Sequence, residues 1–301
     1  MHGEPGITRR GMATLAAASL AAASAQAQTS ASPVAPGFKR AYVDGTYGQV
    51  HYRYVRPPRE TGKPPLVCLH ASPLSGVVYE NWIVEIGRDR FTLAPDTPGY
   101  GGSDGPPSPP QIADYASAFV RFLDEMKLNR VDVMGYHTGS MTSIEMARRF
   151  PQRVRKVVMI SAPIFTPEEL APLRAAMGRT VTYESMLQTT LDNWRKTGKG
   201  MFRDVPTDDR YVDISLDRMR RFRTSGWGFN AAFDYDLPAA LAEVRQPILL
   251  LNPEDDLWQM TPRAMKYAKT ATQHDLPGWT HGHLDAHTVE MAAIVRRFLD
   301  A

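Results

Sequence analysis

The stretch Val131-Asp132-Val133-Met134-Gly135-Tyr136-His137-Thr138-Gly139 constrains the fold of this chain more than any other. An apolar β-type run passes through Gly-x-His-x-Gly and leads into a helical pattern over Met141–Phe150. A strand that turns this abruptly into a helix needs small residues on both sides of the turn, because the helix must pack close against neighbouring strands. Such a unit is one β–α step of a parallel sheet, and the rest of the chain should supply its neighbours. At the centre of the turn stands a histidine.

The neighbours are legible. Arg40–Val43 and Val50–Val55, joined through Gly45 to Gly48, read as an opening antiparallel hairpin. Buried parallel strands follow at Leu66–His70, Phe91–Ala94, Val131–Tyr136, Val157–Ser161, Ile248–Leu251 and about Thr272–Leu276. Helical patterns cover Ile112–Met126, Met141–Phe150, Pro262–Thr270 and Thr288–Leu299; the last carries Met291, Ile294, Val295, Phe298 and Leu299 at helical spacing. The expected fold is α/β: a mostly parallel eight-stranded sheet with helices on both faces. From about Pro163 to Val244 no strand is evident, only amphipathic segments at Glu168–Met177, Tyr183–Lys196 and Ile214–Arg223. That interval is too long for a loop. It reads as a helical cap over 163–245, dividing a core of 28–162 and 246–301.

The first 27 residues read as an export leader. Thr8-Arg9-Arg10-Gly11-Met12 resembles a twin-arginine motif, an alanine-rich stretch runs to Ala23, and Ala25-Gln26-Ala27 forms an A-x-A cleavage site. A periplasmic or secreted location follows as an expectation, with Gln28 to about Phe38 as a loose mature N-terminus. The apolar stretch is too short and weak to span a membrane, so no stable membrane anchor is expected. The formal charge is +3, and without Arg9, Arg10 and Glu4 it is +2; no basic run supports nucleic-acid binding. The single cysteine, Cys68, sits in an apolar strand and offers no disulfide framework. Nothing in the chain sets the oligomeric state.

Four separated motifs carry a resemblance. They are Leu69-His70-Ala71-Ser72-Pro73 after the third strand; Ala94-Pro95-Asp96-Thr97-Pro98-Gly99-Tyr100-Gly101-Gly102-Ser103-Asp104 after the fourth; the histidine turn after the fifth; and Leu249-Leu250-Leu251-Asn252-Pro253-Glu254-Asp255 with Leu276-Pro277-Gly278-Trp279-Thr280-His281-Gly282-His283. In order and spacing they resemble the α/β-hydrolase superfamily, in the style of its capped branch of epoxide hydrolases, haloalkane dehalogenases and C–C bond hydrolases. The resemblance covers roughly Phe38 to the C-terminus. It implies a nucleophile elbow at His137, where a serine would ordinarily stand. It further implies Asp255 as the acid, with Asp256 the adjacent alternative, and His283 as the base. The amides of Ser72 and Thr138 are then expected to form the oxyanion hole. Ala71 departs from the usual glycine of the first motif, and the second motif is read as a structural turn.

His70, Trp227, Phe229 and Trp258 are expected to line the substrate pocket, and the aromatic set, with Trp279, suits a small, largely apolar molecule. No cofactor and no metal are expected. The series His281-x-His283-x-Asp285-x-His287 is one residue too long for the dinuclear-metal signature it resembles, so His281 and His287 are read as surface or supporting residues. Three roles stay open for His137. It could attack an acyl carbon itself, because a neutral imidazole exists at neutral pH. It could work with His283 as an acid/base pair in lyase, isomerase or direct water-attack chemistry. Or the protein could have lost hydrolysis and bind a ligand, or a metal through His137, His283 and Asp255. Ester or lactone hydrolysis is the expectation carried forward.

Overall fold

The computed structural model describes residues 37–177, 182–197, 202 and 204–301; the expected leader lies outside them. Eight strands form one sheet: β1 (Lys39–Gly45), β2 (Gly48–Val55), β3 (Leu66–Leu69), β4 (Thr92–Pro95), β5 (Val131–Tyr136), β6 (Val154–Ile160), β7 (Ile248–Pro253) and β8 (Ala271–Leu276). Their spatial order is β1-β2-β4-β3-β5-β6-β7-β8. The β1/β2 and β2/β4 pairs are antiparallel, and every pair from β4/β3 to β7/β8 is parallel.

The helices are α1 (Glu80–Ile86), α2 (Ile112–Glu125), α3 (Thr138–Arg149), α4 (Pro167–Met177), α5 (Tyr183–Thr197), α6 (Asp208–Arg220), α7 (Trp227–Phe233), α8 (Leu237–Glu243), α9 (His283–Ala286) and α10 (Thr288–Asp300). Alternate strand residues feed opposite faces, as the two-residue period requires. Val67, Leu69 and Val133 join one apolar cluster with Phe119, Phe122 and Ile144 of α2 and α3. Leu66, Cys68 and Met134 join the other with Trp82, Ile86, Met291 and Val295 of α1 and α10. Both faces of the sheet are therefore covered at its centre, which is why β3 and β7 are continuous apolar runs, Leu66–Leu69 and Ile248–Leu251, while the edge strands β1 and β8 alternate.

Between β6 and β7 the described segments are helical, α4 to α8. Helix α6 begins at Asp208, earlier than the apolar spacing of Ile214–Arg223 indicates, because the Thr207 hydroxyl accepts the Arg210 amide at 3.2 Å and Asp208 and Asp209 occupy the first turn. The segment expected as a helix over Pro262–Thr270 is instead a 3-10 turn, Thr261–Lys266. Thr261 pins its start by accepting the Ala162 amide. Among the described residues no helix is long and apolar enough to cross a membrane.

One topological feature positions the site. From β3 the chain first steps outward to β4, then returns to lay β5 on the opposite side of β3. The carboxyl ends of β3 and β5 thus border the crevice at which strand order reverses, where open α/β sheets bind ligands.

Candidate active site

The turn after β5 brings the backbone through His137 at φ 50°, ψ −110°. Positive φ on a side-chain-bearing residue costs about 1–3 kcal/mol and persists only where its surroundings enforce it. Here the His137 amide donates to Ile160 O at 3.0 Å, and the Ser140 and Met141 amides donate back to His137 O. The Ser140 hydroxyl lies 2.9 Å from both Gly135 O and Ile160 O, tying the turn from below. Gly135 and Gly139 are needed for close approach: a Cβ on Gly135 would stand 2.2 Å from Gly139 O, and one on Gly139 only 2.0 Å from Leu69 O.

The turn after β7 carries Asp255, whose side chain is wholly buried. Its Oδ2 accepts from His137 Nε2 at 2.8 Å and from the Ser161 hydroxyl at 2.6 Å, while Oδ1 accepts from the Leu257 amide at 2.8 Å. Burial alone would raise this carboxyl, but His137 and these donors overcome it and hold it well below the usual carboxylate range. For His137 the balance is the mirror image. Burial would lower the imidazole, yet the Asp255 charge and hydrogen bond, with help from Asp256, raise it above its ordinary value.

The turn after β8 adds a second pair. His281 Nε2 bonds Asp256 Oδ1 at 2.7 Å, and its Nδ1 lies 2.5 Å from the Tyr136 hydroxyl. Burial and the two nearby carboxylates push that phenol far up, so Tyr136 is the donor and His281 Nδ1 the acceptor. The rings of His137 and His281 are tilted by 54° with centroids 5.2 Å apart, and His137 Nε2 is 3.8 Å from Asp256 Oδ1. Two His–Asp pairs therefore meet at the carboxyl ends of β5, β7 and β8.

A model of the α/β-hydrolase fold matches residues 64–209. The chain is 29% identical over 211 residues to 2-hydroxy-6-oxo-2,4-heptadienoate hydrolase of Pseudomonas putida, covering 64% of this chain and 72% of the relative. It is 33% identical over 136 residues to haloalkane dehalogenase 2 of Mycobacterium tuberculosis, covering 44% of this chain and 46% of that one. The crystal structure of a hydrolase from Pseudomonas aeruginosa superposes with a TM-score of 0.71 at 19% identity, over 87% of this chain and 99% of the other. The chain belongs to the α/β-hydrolase superfamily. Its relatives are hydrolytic enzymes, which supports a hydrolytic activity here.

For an α/β-hydrolase its site has several departures from the sequence-based expectation. The Asp255–His283 pair is not formed. His283 is fully buried, with Nδ1 donating to Thr280 O at 2.7 Å and Nε2 without a hydrogen-bond partner among the described residues. Burial lowers its imidazole to about 4, so the ring is neutral. Two histidines stand two residues apart, and the chain bends between them: His281 rides the loop toward the site, while His283 opens α9 and packs edge-on against Tyr136 at 5.4 Å. Asp255 pairs with the elbow histidine instead. Nor does His281 share a metal-type cluster with the rest of its series, since Asp285 binds Arg210 and Asn81, and His287 stacks on Trp279 at 4.1 Å.

Ser72 and Thr138 are adjacent as expected, but the Ser72 amide is engaged: it donates to Thr138 Oγ1 at 2.7 Å, and that hydroxyl donates to Ser72 Oγ at 3.1 Å. The Thr138 amide lies in the first turn of α3, where helix geometry provides no acceptor. His70 is engaged on both ring nitrogens. It is buried, its Nε2 accepts the Thr97 amide at 2.8 Å and its Nδ1 donates to Ala71 O at 3.0 Å, so it links the turns after β3 and β4. Burial lowers it to about 4. Trp227 lies over Gly99, 3.8 Å from where a Cβ would stand. Phe229 borders a cavity of about 200 Å³ with Pro73, Met186 and Arg218. Trp258 is half-buried in the acid turn, its amide donating to Asp255 O.

Ser161 had no signal beyond its place at the end of β6. It sits at φ 62° and supplies Asp255 with its shortest hydrogen bond. Asp96, within the second motif, is the anchor of that loop: it binds His51, Arg53 and the amides of Gly76 and Gly102 at 2.7–2.9 Å.

Proposed function

We propose that this protein hydrolyses an ester, lactone or related bond in a small, largely apolar molecule, with the His137–Asp255 pair activating water directly. The observation that carries this reading is the 2.8 Å contact between His137 Nε2 and a buried, ionised Asp255. An ionised carboxylate only accepts hydrogen bonds, so the proton of a neutral His137 belongs on Nε2 and the lone pair on Nδ1. His137 is 16% exposed at the tip of the elbow, and its raised basicity favours proton abstraction. The acid that would orient a separate base is already committed to the elbow residue.

The proton that His137 takes from water on Nδ1 is then delivered to the leaving group, so the same ring serves as base and acid, across from the His281–Asp256 pair. The Thr138 amide, at the positive end of α3, receives the developing oxyanion, joined by the Ser72 amide when the Thr138 hydroxyl swings away. Helices α4 to α8 act as the cap, with Phe229 and Trp227 on its inner side. The leader places this reaction outside the cytoplasm.

The test is a screen of aryl esters and lactones with wild type, His137→Ala, His137→Ser and His281→Ala, combined with rapid-quench intact-mass measurement. The expected outcome is activity lost in both His137 variants and no acyl adduct in wild type. An adduct that disappears in His137→Ala would replace water activation with covalent attack by the imidazole. Activity confined to His137→Ser would mark a disabled hydrolase.

A further inference from the structure

We infer that His137, Asp255, Asp256 and His281 form a site for one divalent transition-metal ion of the zinc class. One ligand atom from each residue lies within 4.8 Å of all the others. The contacts measured within the set, 2.7, 2.8 and 3.8 Å, bracket the edge of about 3.3 Å that follows from metal–ligand bonds of about 2.0 Å in a tetrahedron. The set is therefore close to a coordination shell in size, and Asp256, 59% exposed, has the freedom to complete it.

The chemistry of the donors selects the ion. Two imidazoles favour zinc, cobalt or nickel over magnesium or calcium, and two carboxylates balance the charge of a dication. The groups behind the ligands are also in place. Ser161 and the Leu257 amide hold Asp255, and Tyr136 holds the far nitrogen of His281. Outer partners of this kind fix ligand orientation in metal sites. Three of the four ligands are anchored on turns at the ends of packed strands, so the geometry exists before an ion arrives. In the bound form each imidazole presents Nε2 to the ion and carries its remaining proton on Nδ1, with the Tyr136 oxygen accepting from His281.

The inference does not rest on the hydrolytic reading, because binding is read without turnover. The untagged full chain, stripped with chelator, is titrated with Co²⁺. The expected result is the intense visible spectrum of four-coordinate cobalt saturating at one equivalent and abolished by Zn²⁺. Asp256→Asn, at an exposed position, and His281→Ala should each weaken cobalt more than about tenfold, the loss that even an outer partner of a ligand produces. Absence of a saturable visible band, or affinity unchanged in both variants while circular dichroism confirms their fold, overturns the site. An inactive protein that binds cobalt keeps the site and loses the hydrolytic reading; an active one that binds none does the reverse.

Discussion

Replacing Asp255 by Asn should disarm the site without dismantling it. The Leu257 amide can only donate, so the side-chain oxygen of Asn must take the place of Oδ1, 2.8 Å from that amide. The amide nitrogen then occupies the Oδ2 position, facing the Ser161 hydroxyl and His137 Nε2. Ser161 adapts by rotating its hydroxyl to accept. His137 adapts only by becoming the acceptor, which moves its proton to Nδ1 and turns its lone pair toward the asparagine. The ring stays where it is, but the base points the wrong way. The loss of the correct imidazole tautomer beside an Asp→Asn change is worth about 10³–10⁴ in rate, or about 4–5.5 kcal/mol of transition-state stabilisation. The assay is kcat/KM on the best ester or lactone from the screen, with a melting curve to confirm the fold and nitrogen NMR of His137 to read the tautomer. A variant that keeps activity within about tenfold of wild type while showing the Nδ1–H tautomer would refute the reasoning.

Three further outcomes follow from the same geometry. Gly139→Ala forces a Cβ to 2.0 Å from the rigid Leu69 carbonyl; a cost of about 3 kcal/mol or more should lower the melting temperature by about 6–12 °C, or prevent soluble expression. Burial would raise Asp96, but His51 and Arg53 hold it at about 2, below its unfolded value; its contribution of about 2 kcal/mol is present above about pH 4 and lost as pH falls toward 2. His70 and His283, held neutral by burial, add a loss as pH drops from about 6.5 to 4, so urea midpoints should fall in two steps, with Asp96→Asn shrinking the lower one, to which Asp255 also contributes. Finally, Zn²⁺ added to chelator-treated enzyme should abolish turnover and chelator should restore it, because an ion on Nε2 holds the His137 proton on Nδ1; unchanged turnover at a zinc concentration that displaces cobalt would contradict this coupling.

Much of this was written plainly in the chain. The central strands β3 and β7 are apolar runs because both faces are covered there, and the elbow announces itself through Gly135 and Gly139, whose necessity is a matter of ångströms. What escaped was direction. His281 and His283 are chemically identical and two residues apart, and only the bend into α9 decides that one meets Asp256 while the other is sealed behind Tyr136. Likewise His70 carries the right residue type beside the right turn, yet both of its nitrogens are consumed in holding two loops together. Ser161 was invisible for the opposite reason: a lone serine at a strand end has no pattern, and its importance comes from the neighbouring strand that brings Asp255 within 2.6 Å.

The Thr138 hydroxyl, seated on the Ser72 amide, gives the resting site a built-in competitor. A ground-state carbonyl offers that amide a neutral hydrogen bond no stronger than the one it already has, so exchanging one for the other gains little. An oxyanion offers a charged one, worth about 1.5–3 kcal/mol against about 0.5–1.5 for the neutral bond. In the proposed hydrolysis the hydroxyl would therefore yield only as negative charge builds on the reacting oxygen. In the proposed reaction, a contact that looks like an obstruction would act as a filter: it would withhold binding energy from the substrate and release it to the transition state, which is where it accelerates a reaction.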